Sequence, residues 1–453
     1  MKLQGQLDRR SILTRDAASV AFNRTILDRE RGLKFLGFSR AILCSNVFAS
    51  RDQNINSPNI VLDLMLRYWT AGESHGKTML AMVDGFPAGL PIDHAAINAH
   101  LARRQGGYGR GKRQSLETDE AEFLTGVWKD VTLGSPIALQ VINRDYKLER
   151  LKELPRPRPG HGDLSGSIKY LSSMRGILER ASARETAARV AAGALAQQLL
   201  GVFGIRAVGY VEQLGSIRIA PKSGEASTRE IVAGNIDQLI QWRNSSEVYS
   251  LDPDKDDEVK QLIDDTKKAG DTLGGIVEVR VEGLPFGLGT HTQWDKKLDG
   301  RLAQAVMAVQ AIKGVEIGMG FQAAVVPGSK VHDGIQFAAE DAQTNTLGYR
   351  RPTNNAGGLE AGMTNGQPLI VRAAKKPIST LQTPLESINM QTKEPSTASY
   401  ERSDVCAVPA AAVIVENVVA FEVATALIDK FGGDSVDEMK ARWTLFQEMA
   451  RNH

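Results

Sequence analysis

The sequence has little cysteine and almost no net charge, and each shortage excludes certain classes of protein. Cys44 and Cys406 are its only cysteines, which excludes a disulfide framework and a thiolate-rich metal site and fits a reducing compartment, the cytoplasm by default. The 55 basic and 53 acidic residues leave a formal charge of +2, which argues against a surface that binds nucleic acid through bulk electrostatics. The arginines must therefore matter by position, and we expect no nucleic-acid partner.

A long, purely apolar run is also missing. Residues 410–428 form the longest apolar stretch, but Glu416 and Glu422 interrupt it, and it is just short of a comfortable membrane span. Pro409 suits the first turn of a helix, and Gly432 lies near its end. The stretch predicts a buried core helix and no membrane association.

Residues 1–64 differ in composition from the rest of the chain. They mix arginines with acidic residues and lack a sustained apolar core, a clean amphipathic period and a secretory apolar segment. Met65 stands directly before a strand-like segment at residues 66–70. We therefore predict an N-terminal extension over 1–64, disordered or a mis-assigned start, followed by one domain over 65–453.

The domain combines strands and helices without a regular βαβ rhythm, which predicts an α+β fold. Apolar runs and alternation predict strands at 78–83, within 123–141 and at 276–281, the last as a half-buried strand.

Helical periodicity appears in three further segments. A helix over 93–104 carries Ile97 and Leu101 on one face, and a second core helix covers about 298–312. The sequence Ser182-Ala183-Arg184-Glu185 predicts a capping box before an alanine-rich helix that reaches Leu200.

Three motifs approach known ligand loops but depart from them. Residues 72–78 end like a phosphate-binding P-loop, yet three residues instead of four separate the glycines, and Ala71 stands where the first glycine belongs. Residues 107–111 follow a predicted helix instead of a strand, so a dinucleotide loop is weakly supported. Residues 252–257 lack the glycine and the chelating glutamate of a calcium loop, and predict a solvated helix start.

Most of the seven histidines show no metal-binding pattern. We expect His94 and His100 on exposed helix faces and surface or structural roles for His291, His332 and His453, because zincin spacing and paired cysteines are absent. No metal site is predicted.

The other two histidines lie in glycine-rich turns among arginines. His75 follows Gly72-Glu73-Ser74, and His161 follows Pro159-Gly160. An imidazole exchanges protons near neutral pH, and the arginines between residues 103 and 184 suit anionic groups. This combination indicates acid-base chemistry on a polyanion.

Six blocks of residues form one ordered set of motifs. They are Gly72-Glu73-Ser74-His75-Gly76, Arg103-Arg104-Gln105-Gly106-Gly107-Tyr108-Gly109-Arg110-Gly111, Arg158-Pro159-Gly160-His161-Gly162-Asp163, Leu178-Glu179-Arg180-Ala181-Ser182-Ala183-Arg184-Glu185-Thr186, Lys376-Pro377-Ile378-Ser379-Thr380 and Glu401-Arg402-Ser403-Asp404. With these blocks in this order, the chain from Met65 to about Phe446 resembles the chorismate synthase family. The resemblance implies a β-α-β sandwich with core helices between antiparallel sheets, and a homotetramer.

The resemblance also implies a reaction. Chorismate synthases are lyases of the shikimate pathway and of aromatic amino acid biosynthesis, and they catalyse the last step of that pathway. They remove phosphate and a ring hydrogen from 5-enolpyruvylshikimate 3-phosphate by anti-1,4-elimination. They require reduced FMN without net redox change, and NADPH serves indirectly to reduce the flavin. The sequence leaves two alternatives open, reduction of FMN by the chain itself and a separate flavin reductase as a partner. The absence of the long insertions that bifunctional relatives carry favours the separate reductase.

Residue roles follow from the matching positions. His75, near the departing phosphate, and His161, near the flavin, would handle protons, and Asp404 would be the base, accepting a proton by way of the flavin. The arginines that would bind substrate anions are Arg104, Arg110, Arg113, Arg158, Arg184 and Arg402, the last bridging towards the flavin.

The family's FMN contacts map to positions spread along the chain. They are Arg180, Ala181, Ser182, Gln310, Ala311, Ala361, Lys376, Pro377, Ile378, Ser379, Thr380 and Arg402. Ala361 departs from the family because a glycine is usual there, and its methyl group puts that one contact in doubt. Ala181 and Gly162 are smaller departures.

Two rival functions remain open. A nucleotide hydrolase built on the near-miss P-loop predicts magnesium-dependent ATP hydrolysis, and a non-catalytic RNA-binding protein predicts salt-sensitive RNA affinity. An anaerobic assay with reduced FMN separates both from the lyase.

Overall fold

The structure is a computed structural model that describes residues 66–110, 118–219, 236–401 and 403–453. These residues contain nine α-helices. They are α1 His94–Gln105, α2 Asp163–Tyr170, α3 Met174–Ala181, α4 Thr186–Val202, α5 Ile236–Ser245, α6 Asp256–Lys268, α7 Leu298–Met307, α8 Val408–Phe431 and α9 Val436–Arg451. The extension predicted over 1–64 lies outside these residues.

The strands are mostly short and connected by turns. They are β1 Arg67–Ala71, β2 Thr78–Asp84, β3 Ala121–Phe123, β4 Val127–Trp128, β5 Val131–Thr132, β6 Ile137–Ile142, β7 Arg206–Leu214, β8 Ile217–Arg218, β9 Gly275–Glu282, β10 Phe286–Gly289, β11 Ile312–Ile317, β12 Gln336–Phe337, β13 Tyr349–Arg350, β14 Leu359–Glu360, β15 Met363–Asn365, β16 Leu369–Lys375, β17 Glu386–Ile388 and β18 Pro395–Thr397. The strands predicted at 66–70, 78–83, within 123–141 and at 276–281 are confirmed.

Two antiparallel sheets enclose the central helices. One sheet has the order β1-β2-β6-β3, and the larger has the order β11-β16-β9-β7-β8. Helix α4 packs on the smaller sheet and on α8, while α8 packs on β7 and β9 of the larger sheet. The α+β sandwich with core helices between antiparallel sheets is therefore confirmed.

Small residues allow α4 and α8 to approach closely. Gly193 of α4 faces the backbone carbonyl of Asn417, and Gly209 of β7 faces that of Ala412. A Cβ atom at either glycine would collide with the facing oxygen. The sheet and both helices thus meet through backbone contacts that larger side chains would prevent.

Helix α8 confirms the predicted core helix. It is long and apolar enough to span a membrane by length and composition, but 94% of its most apolar window is buried inside the molecule. Pro409 lies in its first turn, and Gly432 follows its last residue. Burial on all sides explains why a helix without an amphipathic face is stable here.

Helix α1 confirms the prediction over 93–104, with Asp93 as its cap and with Ile97 and Leu101 fully buried. The second core helix is shorter than predicted, because α7 ends at Met307. Residues from Ile312 onward pair with β16 instead. The intervening turn includes Ala311 at φ +69°, so Gln310 and Ala311 lie between a helix and a strand.

The capping box predicted at Ser182 is wrong. The Ser182 hydroxyl accepts a hydrogen bond from the Arg184 amide in a 3-10 turn, Ala183–Glu185. The Glu185 carboxylate accepts from Thr70, Arg189 and Gln310. Tertiary partners therefore compete successfully for a carboxylate that local sequence assigns to the helix cap.

Strand β9 is covered on both faces, although a half-buried strand is predicted. Glu278 and Arg280, on the face opposite Val277 and Val279, are also buried. The Tyr210 hydroxyl donates to Glu278, and Arg280 pairs with Glu282 at 2.7 Å. Paired charges thus occupy a buried face that the sequence pattern assigns to solvent.

Residues 72–77 form the turn of the β1-β2 hairpin, and Thr78 begins β2. A P-loop leads from a strand into a helix, so the nucleotide hydrolase built on this segment is contradicted. The helix start expected at 252–257 is confirmed by the 3-10 turn Pro253–Lys255 and by α6.

Candidate active site

One cavity of about 440 Å³ gathers most of the predicted site residues. A larger open groove, about 650 Å³, lies beside His94 and Phe123 and contains none of them. The predicted residues that line the smaller cavity are His75, Arg104, Arg110, Arg158, His161, Ala181, Ser182, Arg184, Gln310, Ala311, Lys376, Pro377, Ile378, Ser379, Thr380 and Asp404.

His75 is held at the hairpin turn by the buried carboxylate of Glu179 on α3. The backbone amide of His75 and its Nδ1 both lie 2.9 Å from Glu179 Oε2. Because a carboxylate only accepts hydrogen bonds, Nδ1 carries the proton and the ring orientation is fixed. Burial opposes ionisation of Glu179, but the bonds from His75 outweigh it and lower the pKa of this carboxyl.

His161 repeats this arrangement with Asp163. Its Nδ1 lies 2.6 Å from Asp163 Oδ1, and Arg158 Nε donates to Oδ2 of the same carboxylate at 2.9 Å. Burial alone would raise the pKa of Asp163, but the hydrogen bonds from His161 and Arg158 hold it well below its usual range. Both histidines are therefore backed by an ionised, buried carboxylate.

Two arginines of the cavity share one acid. Arg104 and Arg184 contact the Asp119 carboxylate at 3.2 and 2.6 Å, and Arg184 Nε donates to Asn143 Oδ1 at 2.7 Å. Burial lowers the pKa of Arg104 to about 10, so this guanidinium stays charged at neutral pH. Two cations against one carboxylate leave positive charge available for an anionic ligand.

Asp404 Oδ2 lies 2.6 Å from Arg110 Nη1, and both residues line the cavity. The backbone amides of Val405 and Cys406 donate to the Gly109 carbonyl, which joins the loop after α1 to the segment before α8. Gly109 has φ +89°, and a Cβ there would press on Cys406, so the close approach requires glycine.

The residues matched to FMN contacts divide into two groups. Ala181, Ser182, Gln310, Ala311 and residues 376–380 line the cavity, and the Lys376 ammonium donates to the Gly160 carbonyl. The Arg180 guanidinium instead donates to the Thr70 and Gly72 carbonyls at the end of β1. Ala361 lies exposed in the β14-β15 turn at φ +51°, away from the cavity lining. Arg113 and Arg402 lie outside the described residues.

The cavity is chemically suited to a flavin phosphate. Leu178, Ala181, Pro377 and Ile378 supply apolar wall next to the cations, as a ring system with an anionic tail requires. In the described part of the chain, Gln310 Oε1 is a buried acceptor without a hydrogen-bond partner. A ligand donor, such as a ring N–H, would satisfy it.

The remaining five histidines differ in their exposure to solvent. His94, His291, His332 and His453 are exposed, but His100 is not on an exposed face as predicted. Its Nδ1 lies 3.5 Å from the buried Glu416 on α8 and accepts from Asn417. Burial lowers the pKa of His100 to about 4, so the ring is neutral at pH 7.

Several site residues escape sequence reasoning. Glu179 and Asp163 fall inside the quoted blocks, Glu179 directly before Arg180 and Asp163 two residues after His161, so the blocks themselves were the available signal. Asp119, Asn143 and Lys375 are isolated polar residues without a motif, and long-range contacts bring them to the cavity.

Comparisons with known proteins all lead to one family. The family model described as chorismate synthase matches residues 66–428. The chorismate synthase of Desulforamulus reducens is 52% identical over 400 residues, which cover 85% of this chain and 100% of that protein. The chorismate synthase of Trichlorobacter lovleyi is 53% identical over 391 residues, covering 83% and 97%. A crystal structure of chorismate synthase superposes with a TM-score of 0.70 at 40% identity, covering 86% of this chain and 99% of that one.

Proposed function

The chain belongs to the chorismate synthase family, and on that premise we propose that the 440 Å³ cavity is its active site. The enzyme is a lyase that eliminates phosphate from 5-enolpyruvylshikimate 3-phosphate to give chorismate, the last step of the shikimate pathway, with reduced FMN and no net redox change. One observation supports the location above all others. Two carboxylate-held imidazoles and four arginines converge on one cavity from segments far apart in sequence.

The arginines match the charge of the substrate. Two carboxylates and one phosphate require several cations, and guanidinium groups bind both kinds of oxyanion through paired hydrogen bonds. Arg104 and Arg184 both contact Asp119, and Arg110 and Arg158 line the same cavity. We assign these four to substrate binding. Arg113 and Arg402 are proposed on the family match alone.

FMN is assigned to the side of the cavity formed by Ser182, Gln310, Ala311 and residues 376–380. When bound, the reduced flavin supplies electron density transiently while phosphate departs. Lys376 provides a cation for the flavin phosphate. Arg180 and Ala361 stay proposals from the family match, since both lie away from the cavity lining.

We assign the proton transfers to side chains of the protein itself. Glu179 holds the Nδ1 proton of His75. The doubly protonated imidazolium would donate its Nε2 proton to the departing phosphate oxygen as the C–O bond breaks, and the ring would be left as the neutral Nδ1–H tautomer. Asp404 is the proposed base for the ring hydrogen, and its carboxylate contacts the Arg110 guanidinium at 2.6 Å. His161, whose Nδ1 lies 2.6 Å from Asp163, would help to hold the anionic reduced form of the flavin.

Assembly and supply of the cofactor complete the proposal. We assign a homotetramer, a cytoplasmic location and a separate NADPH-dependent flavin reductase to this chain. The cysteine content and the family membership support these assignments.

The test is anaerobic turnover of 5-enolpyruvylshikimate 3-phosphate with chemically reduced FMN. His75→Asn and His161→Asn should each lower kcat by roughly 100- to 10,000-fold, the usual loss when a positioned acid or base is removed. His94→Asn is the matched control, because His94 is exposed on α1 outside the cavity. Wild-type turnover by both variants would remove the proton-transfer assignment.

A further inference from the structure

Lys375 is a buried cation in the cavity wall that neither the motifs nor the mechanism explain. It is the last residue of β16, and only 8% of its surface is exposed. Strand alternation places it on the same face as Val371 and Ala373, which join the core packed against α8. Its side chain lines the cavity beside Lys376 and Asp404.

Within the described residues, Lys375 lacks the acidic partner that the cavity arginines and histidines have. Arg110 pairs with Asp404, and Arg158 pairs with Asp163. The Lys375 ammonium reaches only the carbonyl of its neighbour Lys376, at 3.4 Å, which is longer than an ordinary hydrogen bond. The charge is therefore buried with little compensation.

The groups around Lys375 make this position electropositive. Arg110, Asp404, Cys406 and Lys376 are the ionisable groups that act on it, and Asp404 is already paired with Arg110. Burial lowers the pKa of Lys375 to about 8, so the amine is mostly protonated at pH 7. Keeping an ammonium in such surroundings costs stability, and an anionic ligand would offset that cost.

Two further features face the same corner of the cavity. Helix α8 begins at Val408, its N-cap residue Ala407 also lines the cavity, and neither a side-chain cap nor an acidic residue occupies its first turn. The positive end of this 24-residue helix therefore faces a cavity wall that contains Lys375. Arg110 Nε is buried in the described structure without an acceptor.

We propose that Lys375, together with Arg110 and the first turn of α8, forms an oxyanion-binding corner that contacts a carboxylate or phosphate group of the bound ligands. The corner belongs to the active site proposed above and rests on that assignment. Lys375 is thus a ligand-binding residue, and the source of the oxyanion is either FMN or 5-enolpyruvylshikimate 3-phosphate.

The test measures binding without turnover in Lys375→Met and Lys375→Arg. Binding of FMN is followed by flavin fluorescence without substrate, and binding of 5-enolpyruvylshikimate 3-phosphate by the thermal shift without flavin. Lys375→Met should weaken one ligand by roughly 10-fold or more, the usual loss of one charge-assisted contact, and Lys375→Arg should restore most of it. The ligand that is weakened identifies the source of the oxyanion.

The ligand-free protein supplies a second readout. Its Tm should stay the same or rise in Lys375→Met, because methionine fills the space and removes a poorly compensated charge. Affinity of the wild type for the weakened ligand should also fall above about pH 8 as the amine deprotonates, and Lys375→Met should lose this dependence. Lys440→Met, on the exposed surface of α9, controls for the substitution.

Unchanged affinity for both ligands in Lys375→Met, or a lower Tm of the ligand-free variant, would overturn the proposal. Failure of the active-site assignment looks different, because His75→Asn and His161→Asn would then turn over normally. A normal Lys375→Met beside inactive histidine variants removes only the Lys375 corner.

Discussion

Arg103 and Arg104 are neighbours on α1, yet they serve two different regions of the molecule. The Arg104 guanidinium contacts the Asp119 carboxylate and lines the cavity. The Arg103 guanidinium contacts Glu416 Oε1 in the core at 2.8 Å. Arg243 contacts Oε2 of the same carboxylate at 3.0 Å. One residue of helical rotation thus separates the proposed active-site cavity from a structural ion cluster.

The two clusters differ in the groups that surround their arginines and carboxylate. Around Glu416, the Gly209 amide and the Gln197 side chain add protein donors, and these groups line neither of the two cavities described. Around Asp119, the two arginines face open volume. Buried charge therefore stabilises the fold in one region and prepares binding in the other, although both use two arginines per carboxylate.

The largest effect should come from breaking the core cluster. Glu416→Gln leaves Arg103 and Arg243 buried without their carboxylate, which should lower the free energy of unfolding by about 3–5 kcal/mol. Urea denaturation measures this loss. Glu422→Gln on the same helix is the control, because its partner Arg301 keeps a contact with Asp429 at 2.8 Å. Equal losses in the two variants would contradict a special role for the Glu416 cluster.

A matched pair of variants tests the division on α1. Arg103→Met should cost about 2–3 kcal/mol of stability, because Glu416 loses one of its cations, and should leave kcat/KM of the folded enzyme unchanged. Arg104→Met should lower kcat/KM on the order of 10- to 100-fold through a lost charge-assisted contact. Denaturation and steady-state assays of both variants decide the matter, and an interchanged result would refute the comparison.

The smallest effect concerns pH. Burial lowers the pKa of His100 to about 4 in the folded protein, from its ordinary value of 6.5. Between these values the unfolded chain holds more protons, so stability should fall as the pH is lowered. His100→Asn should remove about 1–2 kcal/mol of this fall, since partial exposure of the ring screens the full effect. Denaturation at pH 7 and pH 4.5 measures it, and His94→Asn should leave the difference intact.

Patterns that depend on local periodicity were predictable. Helices α1 and α8 and strands β2 and β9 follow from apolar spacing, and the order of the motif blocks anticipated a site shared by His75, His161 and the arginines. These elements were predicted correctly because the apolar faces that define the sequence pattern are the same faces whose burial stabilises the fold.

Features that depend on tertiary partners were not predictable. The strand pairing of β11 shortens α7, and Thr70, Arg189 and Gln310 take Glu185 away from the predicted capping box. His100 looked like a surface residue because its partner, Glu416, lies 316 positions later in the chain. Lys375 carried no signal beyond its position before Lys376.

The tight contact between α4, α8 and β7 sets a boundary for directed evolution of this enzyme. Cavity residues sit on loops and helix ends, where a library can vary side chains while the scaffold stays in place. Gly193 and Gly209 offer no such freedom, because even a methyl group would meet a main-chain oxygen. Libraries for new substrates should keep those two codons fixed and spend their diversity on the cavity wall.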